Sequence, residues 1–235
     1  MNDLTPLHEA QRIVLDATKT LGCEKIGLLD ALGRILGEDI IATRANPPWD
    51  NSAMDGFAVR WEDIKKEHAI TKPAELTIIE DVPAGKMPIH TVGPGQAIKI
   101  MTGAPVPQGA DTVVRVEYTE PGEGTVRIFE PEPQGANIRP MGDDVKLGDC
   151  IIARGTQLRP AEIGMLAILG KSFVLVHQRP RVAILATGDE LADLDEQFDD
   201  NKIVNSNSYG IAAAVQEAGG IPLLLGIAKD EPQSL

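Results

Sequence analysis

Aromatic residues are scarce in this chain: two Trp, two Tyr and four Phe make up 3% of 235 residues. Its cores must therefore be built mostly from Ile, Leu, Val and Ala. Cysteine is limited to Cys23 and Cys150, with no CxxC pair and no neighbouring His in the sequence. That excludes a disulfide scaffold, and both read as small buried hydrophobes in a reducing compartment. The four histidines, at positions 8, 68, 90 and 177, are scattered over different segments, which argues against a His-dependent triad or a zinc site. No apolar run is long enough to span a membrane and the N-terminus shows no signal-peptide pattern, so a cytoplasmic protein without membrane association is expected. Basic residues are outnumbered, 22 Lys and Arg against 35 Asp and Glu, for a net charge of −13. A nucleic-acid partner is not expected of such a surface. Walker, GxGxxG, GxSxG and HExxH patterns are all missing.

What the chain has in quantity is glycine (23) and proline (17), which implies many turns and a β-rich portion. Thr5-Pro6 suits a helix start, and Leu7, Ala10, Val14, Ala17 and Leu21 recur at helical spacing, predicting a helix to about Leu21 with His8 on its surface. A second short helix is predicted over Leu28 to Leu36. From about Ile40 the texture changes to short β-prone runs, Leu76–Ile79, Ala97–Met101, Thr112–Glu117 and Thr125–Phe129, separated by Gly and Pro turns. Arg159-Pro160 then opens another helix that Gly170 caps. Beyond it, Arg181 to Ala186 reads as a strand, Asn205 to Ala218 as a helix and Ile221 to Ile227 as a strand, which is a βαβ unit with a parallel sheet.

The expected fold class is a multidomain α/β and β protein. Residues 1–40 and 152–178 are expected to form a helical domain. Residues 41–151 form an inserted, mostly antiparallel β domain, and 179–235 begin a parallel α/β domain. A parallel sheet wants helices on both faces, so the last domain is expected to be incomplete and the chain to be part of a longer one.

Four segments carry candidate chemistry. The stretch Asn46-Pro-Pro-Trp-Asp-Asn-Ser-Ala-Met-Asp-Gly-Phe-Ala58 packs Asp50, Asn51, Ser52 and Asp55 into six residues. Its prolines stiffen the entry, Gly56 frees the backbone after Asp55, and its polar residues fit neither the helix nor the strand period. A rigid loop of hard oxygen ligands suits a magnesium ion and a phosphate-bearing substrate; a surface turn rich in Asp and Asn has the same composition. In Met101-Thr-Gly-Ala-Pro-Val-Pro107, Thr102 offers a hydroxyl to a phosphate or oxyanion, or belongs to an ordinary Gly-Pro turn. Asn137-Ile-Arg-Pro-Met-Gly-Asp-Asp144 sets Arg139 near two carboxylates, as a metal-phosphate site or a solvated acidic turn would. Ala186-Thr-Gly-Asp-Glu190 follows the first parallel strand, where α/β sheets bind ligands. Thr187, Gly188, Asp189 and Glu190 lie there, and Asp230 follows the neighbouring strand to the same edge. The helix expected to start near Asn207 turns its positive end the same way; helix capping alone would also account for Asn205 to Ser208. The acidic balance poses a difficulty for a phosphate-bearing substrate, which a divalent cation between protein carboxylates and phosphates resolves.

Pro47 to Arg60, Ile100-Met-Thr-Gly-Ala104, Asn137-Ile-Arg139 with Gly142-Asp-Asp144, and Ala186-Thr-Gly-Asp-Glu-Leu191 together resemble the molybdopterin molybdenumtransferase (MoeA) family, related to the gephyrin E domain. The resemblance covers the whole chain and lacks the family's later Gly-rich segments and fourth domain. It implies insertion of molybdate into adenylated molybdopterin with release of AMP, supported by Mg(2+), in molybdenum cofactor biosynthesis. It implies Asp55, Thr102, Asp144, Glu190 and Asp230 as the active-site residues. With it come Asp144, Glu190 and Asp230 as metal ligands, and Asp50, Asn51, Ser52, Arg139, Thr187, Gly188, Asp189, Asn205 and Asn207 at the substrate. Asn205 stands where some relatives carry Asp. A homodimer with a shared active site is implied, the β domain of one subunit facing the α/β domain of the other. Partners extend to a molybdopterin adenylyltransferase and molybdoenzyme maturation proteins. Two alternatives remain open: a non-catalytic, gephyrin-like dimeric scaffold, and a molybdopterin adenylyltransferase.

Overall fold

A computed structural model describes residues 5–65, 73–196 and 201–230; His68 lies outside them. In chain order the elements are helix α1 (Leu7–Ala17) and strands β1 (Cys23–Gly27), β2 (Ile40–Ile41), β3 (Asn51–Ser52), β4 (Gly56–Val59), β5 (Ala74–Val82), β6 (Gln96–Ile100), β7 (Thr112–Arg115), β8 (Thr119–Pro121), β9 (Thr125–Ile128), β10 (Ile138–Arg139) and β11 (Cys150–Ile152). Then follow α2 (Pro160–Ile168), β12 (Phe173–His177), β13 (Arg181–Thr187), β14 (Leu191–Ala192), β15 (Ile203–Val204), α3 (Ser206–Glu217) and β16 (Ile221–Ala228). Two compact units result: residues 41–151, and residues 1–40 with 152–235.

The 41–151 unit is built on a six-stranded sheet in the order β7-β4-β6-β5-β9-β8. Only the β5–β6 pairing is parallel; the other four are antiparallel. Strand β4 is buried throughout. Because successive side chains point to opposite faces, Phe57 and Val59 join one apolar cluster with Leu76, Val114 and Val126. Ala58 joins the other, with Val82, Ile98, Ile100 and Val113. A chain poor in aromatics thus fills both layers mostly with aliphatics; Phe57 is buried in the first, with Trp61 and Tyr118 packed against it.

Residues 1–40 and 152–178, expected to be helical, carry strands beside their helices. Helix α1 stops at Ala17 rather than Leu21, where Thr18 turns its hydroxyl back onto the Val14 carbonyl. Its N-cap is Pro6, with no side-chain cap from Thr5. The helix predicted over Leu28 to Leu36 is a single 3-10 turn, Leu29–Ala31. Gly33 follows at φ 75°, a left-handed conformation that ends helical progress. Ile35 and Leu36 then bridge to Gln157 and Val176. The spacing of Leu28, Leu32 and Leu36 mimicked a helix face. Strands β1 and β12 pair antiparallel, so this part holds a two-stranded ribbon as well as helices.

Helix α2 starts as expected. Glu162 accepts hydrogen bonds from the Arg159 backbone N–H at 2.9 Å and from its guanidinium at 2.6 and 3.1 Å. Gly170, at φ 73°, ends the helix, with the Lys171 N–H on the Leu166 carbonyl at 2.9 Å. The Arg159 hydrogen bonds lower the Glu162 pKa from 4.5 to about 2. A depressed carboxylate stabilises the fold fully above its unfolded value and loses that contribution as pH falls through the folded one. The difference in thermal midpoint between wild type and Glu162→Gln should therefore be constant above pH 5 and shrink steadily down to pH 2. A difference independent of pH in scanning calorimetry would rule the carboxylate's charge out as the cause.

In the C-terminal part, β13 and β16 pair in parallel, Arg181 opposite Ile221 and Thr187 opposite Ala228, with α3 crossing between them in sequence. This is the βαβ unit the sequence indicated. Its helix begins earlier than Asn207: Asn205 is the N-cap, and its side chain accepts from the Ser208 N–H at 3.3 Å. Among the described residues no helix is long and apolar enough to cross a membrane.

Candidate functional site

Three of the four sequence segments are woven together inside the 41–151 unit. The Asn46–Ala58 loop is clamped from two sides by backbone hydrogen bonds. On one side the Ser52 N–H meets the Ala104 carbonyl at 3.0 Å, the Gly103 N–H meets Ser52 at 2.8 Å, and the Val106 N–H meets Asp50 at 2.9 Å. On the other, β3 pairs with β10, Ser52 opposite Ile138 and Asn51 opposite Arg139. The Gly142 N–H reaches the Pro47 carbonyl at 2.9 Å, and Asn46 bridges to Val145. The Asn46–Pro47 peptide is cis.

Within this weave Asp55 and Thr102 meet. One Asp55 carboxylate oxygen accepts the Thr102 N–H at 2.7 Å and its hydroxyl at 2.8 Å. Both bonds favour the charged form, the backbone one most, and they hold the Asp55 pKa below the ordinary carboxylate value. Asp55 is exposed, so an ionised carboxylate with its other oxygen free of hydrogen bonds among the described residues faces outward. The Thr102 hydroxyl, read from the sequence as a donor to a phosphate or oxyanion or as part of a Gly-Pro turn, donates to Asp55 and orients it.

The remaining loop candidates have structural partners as well. Asp50 accepts the Met141 N–H at 2.6 Å. Ser52, 1% exposed, closes a turn onto the Met54 carbonyl at 2.6 Å. Asp144 has both oxygens occupied, one by Arg139 at 2.7 Å and one by the Asn46 side chain at 3.1 Å. Arg139 also lies 3.5 Å from Asp143, and this company raises its pKa, the Asp144 hydrogen bond first. Asn51 is the exception: its side-chain oxygen is buried without a hydrogen-bond partner among the described residues. Such an acceptor is costly unless a donor reaches it.

Two asparagines of this weave were not singled out from the sequence. Asn46 holds Asp144, and Asn137, at φ 58°, sends its amide to the Val113 carbonyl at 2.8 Å. Asn tolerates the left-handed region better than other side chains. Their places, just before a Pro-Pro pair and at the head of the third motif, were the available signal.

The fourth segment lies in the other unit. Thr187, Gly188, Asp189 and Glu190 leave the C-terminal end of β13, and Asp230 follows β16 on the same edge. Gly188 is buried and adopts φ 147°; a Cβ there would come within 2.7–2.9 Å of the Glu190 carboxylate. Glu190 and Asp230 are exposed, and neither side chain has a hydrogen bond or ion pair among the described residues. They offer two unclaimed carboxylates beside adjoining strand ends. Asn205 is 5% exposed and committed to capping α3, while Asn207 is exposed in the first turn. Asp144 belongs to one unit, and Glu190 and Asp230 to the other. No three His, Cys, Asp or Glu side chains gather as a metal-holding group among the described residues.

The model of the MoeA N-terminal region (domain I and II) matches residues 5–170. The molybdopterin molybdenumtransferase of Nostoc sp. is 43% identical over 212 residues, covering 90% of this chain and 48% of that protein. The Bacillus subtilis molybdopterin molybdenumtransferase is 38% identical over 230 residues, covering 96% of this chain and 53% of its own length. A crystal structure of the molybdopterin biosynthesis moeA protein from Pyrococcus horikoshii superposes with a TM-score of 0.91 at 37% identity, over 98% of this chain and 62% of that one. The chain thus spans about half the length of the curated relatives it matches.

Proposed function

The chain belongs to the MoeA family, and on that footing we propose that it works in molybdenum cofactor biosynthesis, as part of a transferase that inserts molybdate into adenylated molybdopterin and releases AMP. The observation that carries this reading is the exposed, ionised Asp55, fixed by Thr102 inside three interlocked motif loops. Both hydrogen bonds fall on one carboxylate oxygen, which leaves the other turned outward and available to a ligand. Preorganised charge of this kind is the largest contribution most active sites make. Asp55 would orient molybdate or an attacking oxygen, and Thr102 would keep it in position.

The strand-end residues suit the phosphates. The first turn of α3 turns backbone N–H groups toward that edge, and a helix N-terminus receives phosphate readily. Magnesium binds through one or two carboxylates and completes its shell with substrate phosphates and water. Glu190 and Asp230, both unclaimed, fit that requirement; Asp144 fits it only once Arg139 and Asn46 release it. Bound there, the ion would neutralise the phosphoanhydride oxygens. The family's homodimer, in which the β unit of one subunit faces the α/β part of another, is the assembly in which Asp55 and the strand-end carboxylates would act together. Its substrate would come from a molybdopterin adenylyltransferase, and its product would pass to molybdoenzyme maturation proteins. The scaffold and adenylyltransferase alternatives draw no support from these relatives, which carry the molybdenumtransferase name.

The test is AMP release from adenylated molybdopterin by the protein as its gene encodes it, with and without molybdate. Release that depends on molybdate is expected, and release indifferent to molybdate, or none, retires the proposal. In the same assay Glu190→Gln should raise the magnesium concentration for half-maximal rate by roughly tenfold, the scale on which metal sites respond to a lost ligating or supporting group. An unchanged magnesium dependence takes Glu190 out of the metal site.

A further inference from the structure

Three arginines gather in one cleft of this acidic chain, outside the four candidate motifs. The cleft, of about 560 Å³, is lined by Arg34, Arg179 and Arg181 together with Glu24, Asp30 and Gln178. Arg34 is buried to 9% exposure and already engaged: one guanidinium nitrogen donates to Glu24 at 2.5 Å and to the His177 carbonyl at 2.7 Å. It fixes the wall and cancels the charge of Glu24. Arg179 and Arg181 are exposed and have no side-chain partner among the described residues. They are two residues apart around Pro180, at the entry to β13, and extended backbone puts such residues on the same side. Asp30 is likewise without a side-chain partner among the described residues. An adjoining hollow of about 360 Å³ shares Arg34, Gln178 and Arg179. Arg181 and Thr187 begin and end the same strand, which separates the cleft from the strand-end carboxylates by about 20 Å at 3.3 Å per residue.

We propose that this cleft binds a small phosphate ester that also carries hydroxyl groups, with Arg179 and Arg181 on the phosphate and Asp30 accepting from a hydroxyl. Two free guanidinium forks match phosphate oxygens in a bidentate manner that lysine does not. The free charges, two positive and one negative, favour a compact anion bearing a donor. An extended polyanion would meet the acidic remainder of the surface.

Calorimetric titration of the chain with ribose 5-phosphate, with inorganic phosphate and ribose as comparators, tests this. Saturable one-to-one binding of ribose 5-phosphate is expected, weakening as salt is raised, with ribose alone silent. Arg179→Gln/Arg181→Gln should weaken it at least about tenfold, the scale of charge-assisted pairs. Asp30→Asn should weaken ribose 5-phosphate while leaving inorganic phosphate unchanged. Asp55→Asn, in the other unit, should bind as the wild type does. In the unmodified chain, amide shifts on titration should centre on Arg34 and residues 178–181, a readout that needs no variant to fold. No saturable binding, full binding by the double arginine variant, or shifts centred on residues 46–55 would each overturn the proposal. None of these measurements depends on AMP release, so either reading can fail alone.

Discussion

Asp55→Asn should lower the molybdate-dependent release of AMP by about a hundredfold or more, with little change in thermal stability. The asparagine oxygen can still accept the Thr102 N–H and hydroxyl that hold Asp55 at 2.7 and 2.8 Å. Geometry is therefore kept and only the charge is lost. Removing one preorganised electrostatic group from a reacting centre costs on the order of a hundred- to a thousandfold in rate. The two Thr102 hydrogen bonds keep the wild-type carboxylate ionised below its ordinary pKa, so the effect should persist from pH 6 to pH 9. Steady-state rates and a melting curve of the same preparation decide the matter. A variant with wild-type kcat would make Asp55 a loop anchor and nothing more.

Gly56→Ala, one residue further on, should do the opposite: collapse stability first and activity only as a result. A Cβ at Gly56 would lie 2.0 Å from the Val114 carbonyl oxygen and 2.9 Å from its carbon. Those atoms belong to the backbone of β7, paired with β4 in register Gly56 to Arg115, so no side-chain rotation relieves the clash. The strands must separate where the sheet is buried on both faces. Overpacking of this kind costs about 3 kcal/mol or more. For a chain of this size that is a fall of roughly 6–12 °C in melting temperature. Equal melting temperatures for Gly56→Ala and wild type would show that β4 and β7 are not packed this closely. Asp55 and Gly56 thus illustrate two different demands on adjacent residues of one motif, a charge for the reaction and an absent side chain for the sheet.

Much of the layout was legible in the sequence because it depends on local pattern. The βαβ unit announced itself through two apolar runs flanking a capped helix, and strand-end placement of Glu190 and Asp230 needs nothing beyond that topology. Strand β4 was not legible. Its burial on both faces removes the alternation that marks a half-exposed strand, and Gly56-Phe-Ala-Val59 looked like the tail of a loop. The region around Leu28–Leu36 misled because three leucines at four-residue spacing satisfy a helix pattern, whereas Gly33 and the long-range pairing of Ile35 and Leu36 decide the outcome. Tertiary pairing overrode local propensity there. The Asp55–Thr102 bond joins residues 47 apart, and Asp144 is claimed by Asn46 across 98. No spacing rule reaches so far. Family resemblance named the residues; only the fold shows that Thr102 orients Asp55 and that Asp144 is already engaged.

The short ribbon of β2 and β11 has a further consequence. The chain leaves for the 41–151 unit and returns from it at neighbouring points. Ala42 exchanges backbone hydrogen bonds of 2.9 Å with Gly148 and Asp149 on one side of the ribbon, and the Leu36 N–H meets the Thr156 carbonyl at 2.9 Å on the other. An excursion of more than a hundred residues therefore begins and ends within a hydrogen bond's reach. Its closure entropy grows only with the logarithm of its length. A segment mounted in this way can gain or lose residues at its distant loops without disturbing the frame that carries it. Closely spaced entry and exit points of this kind let a whole domain be inserted. The motif loop that carries Asp55 is thus held on a body free to vary in size while its anchorage stays fixed.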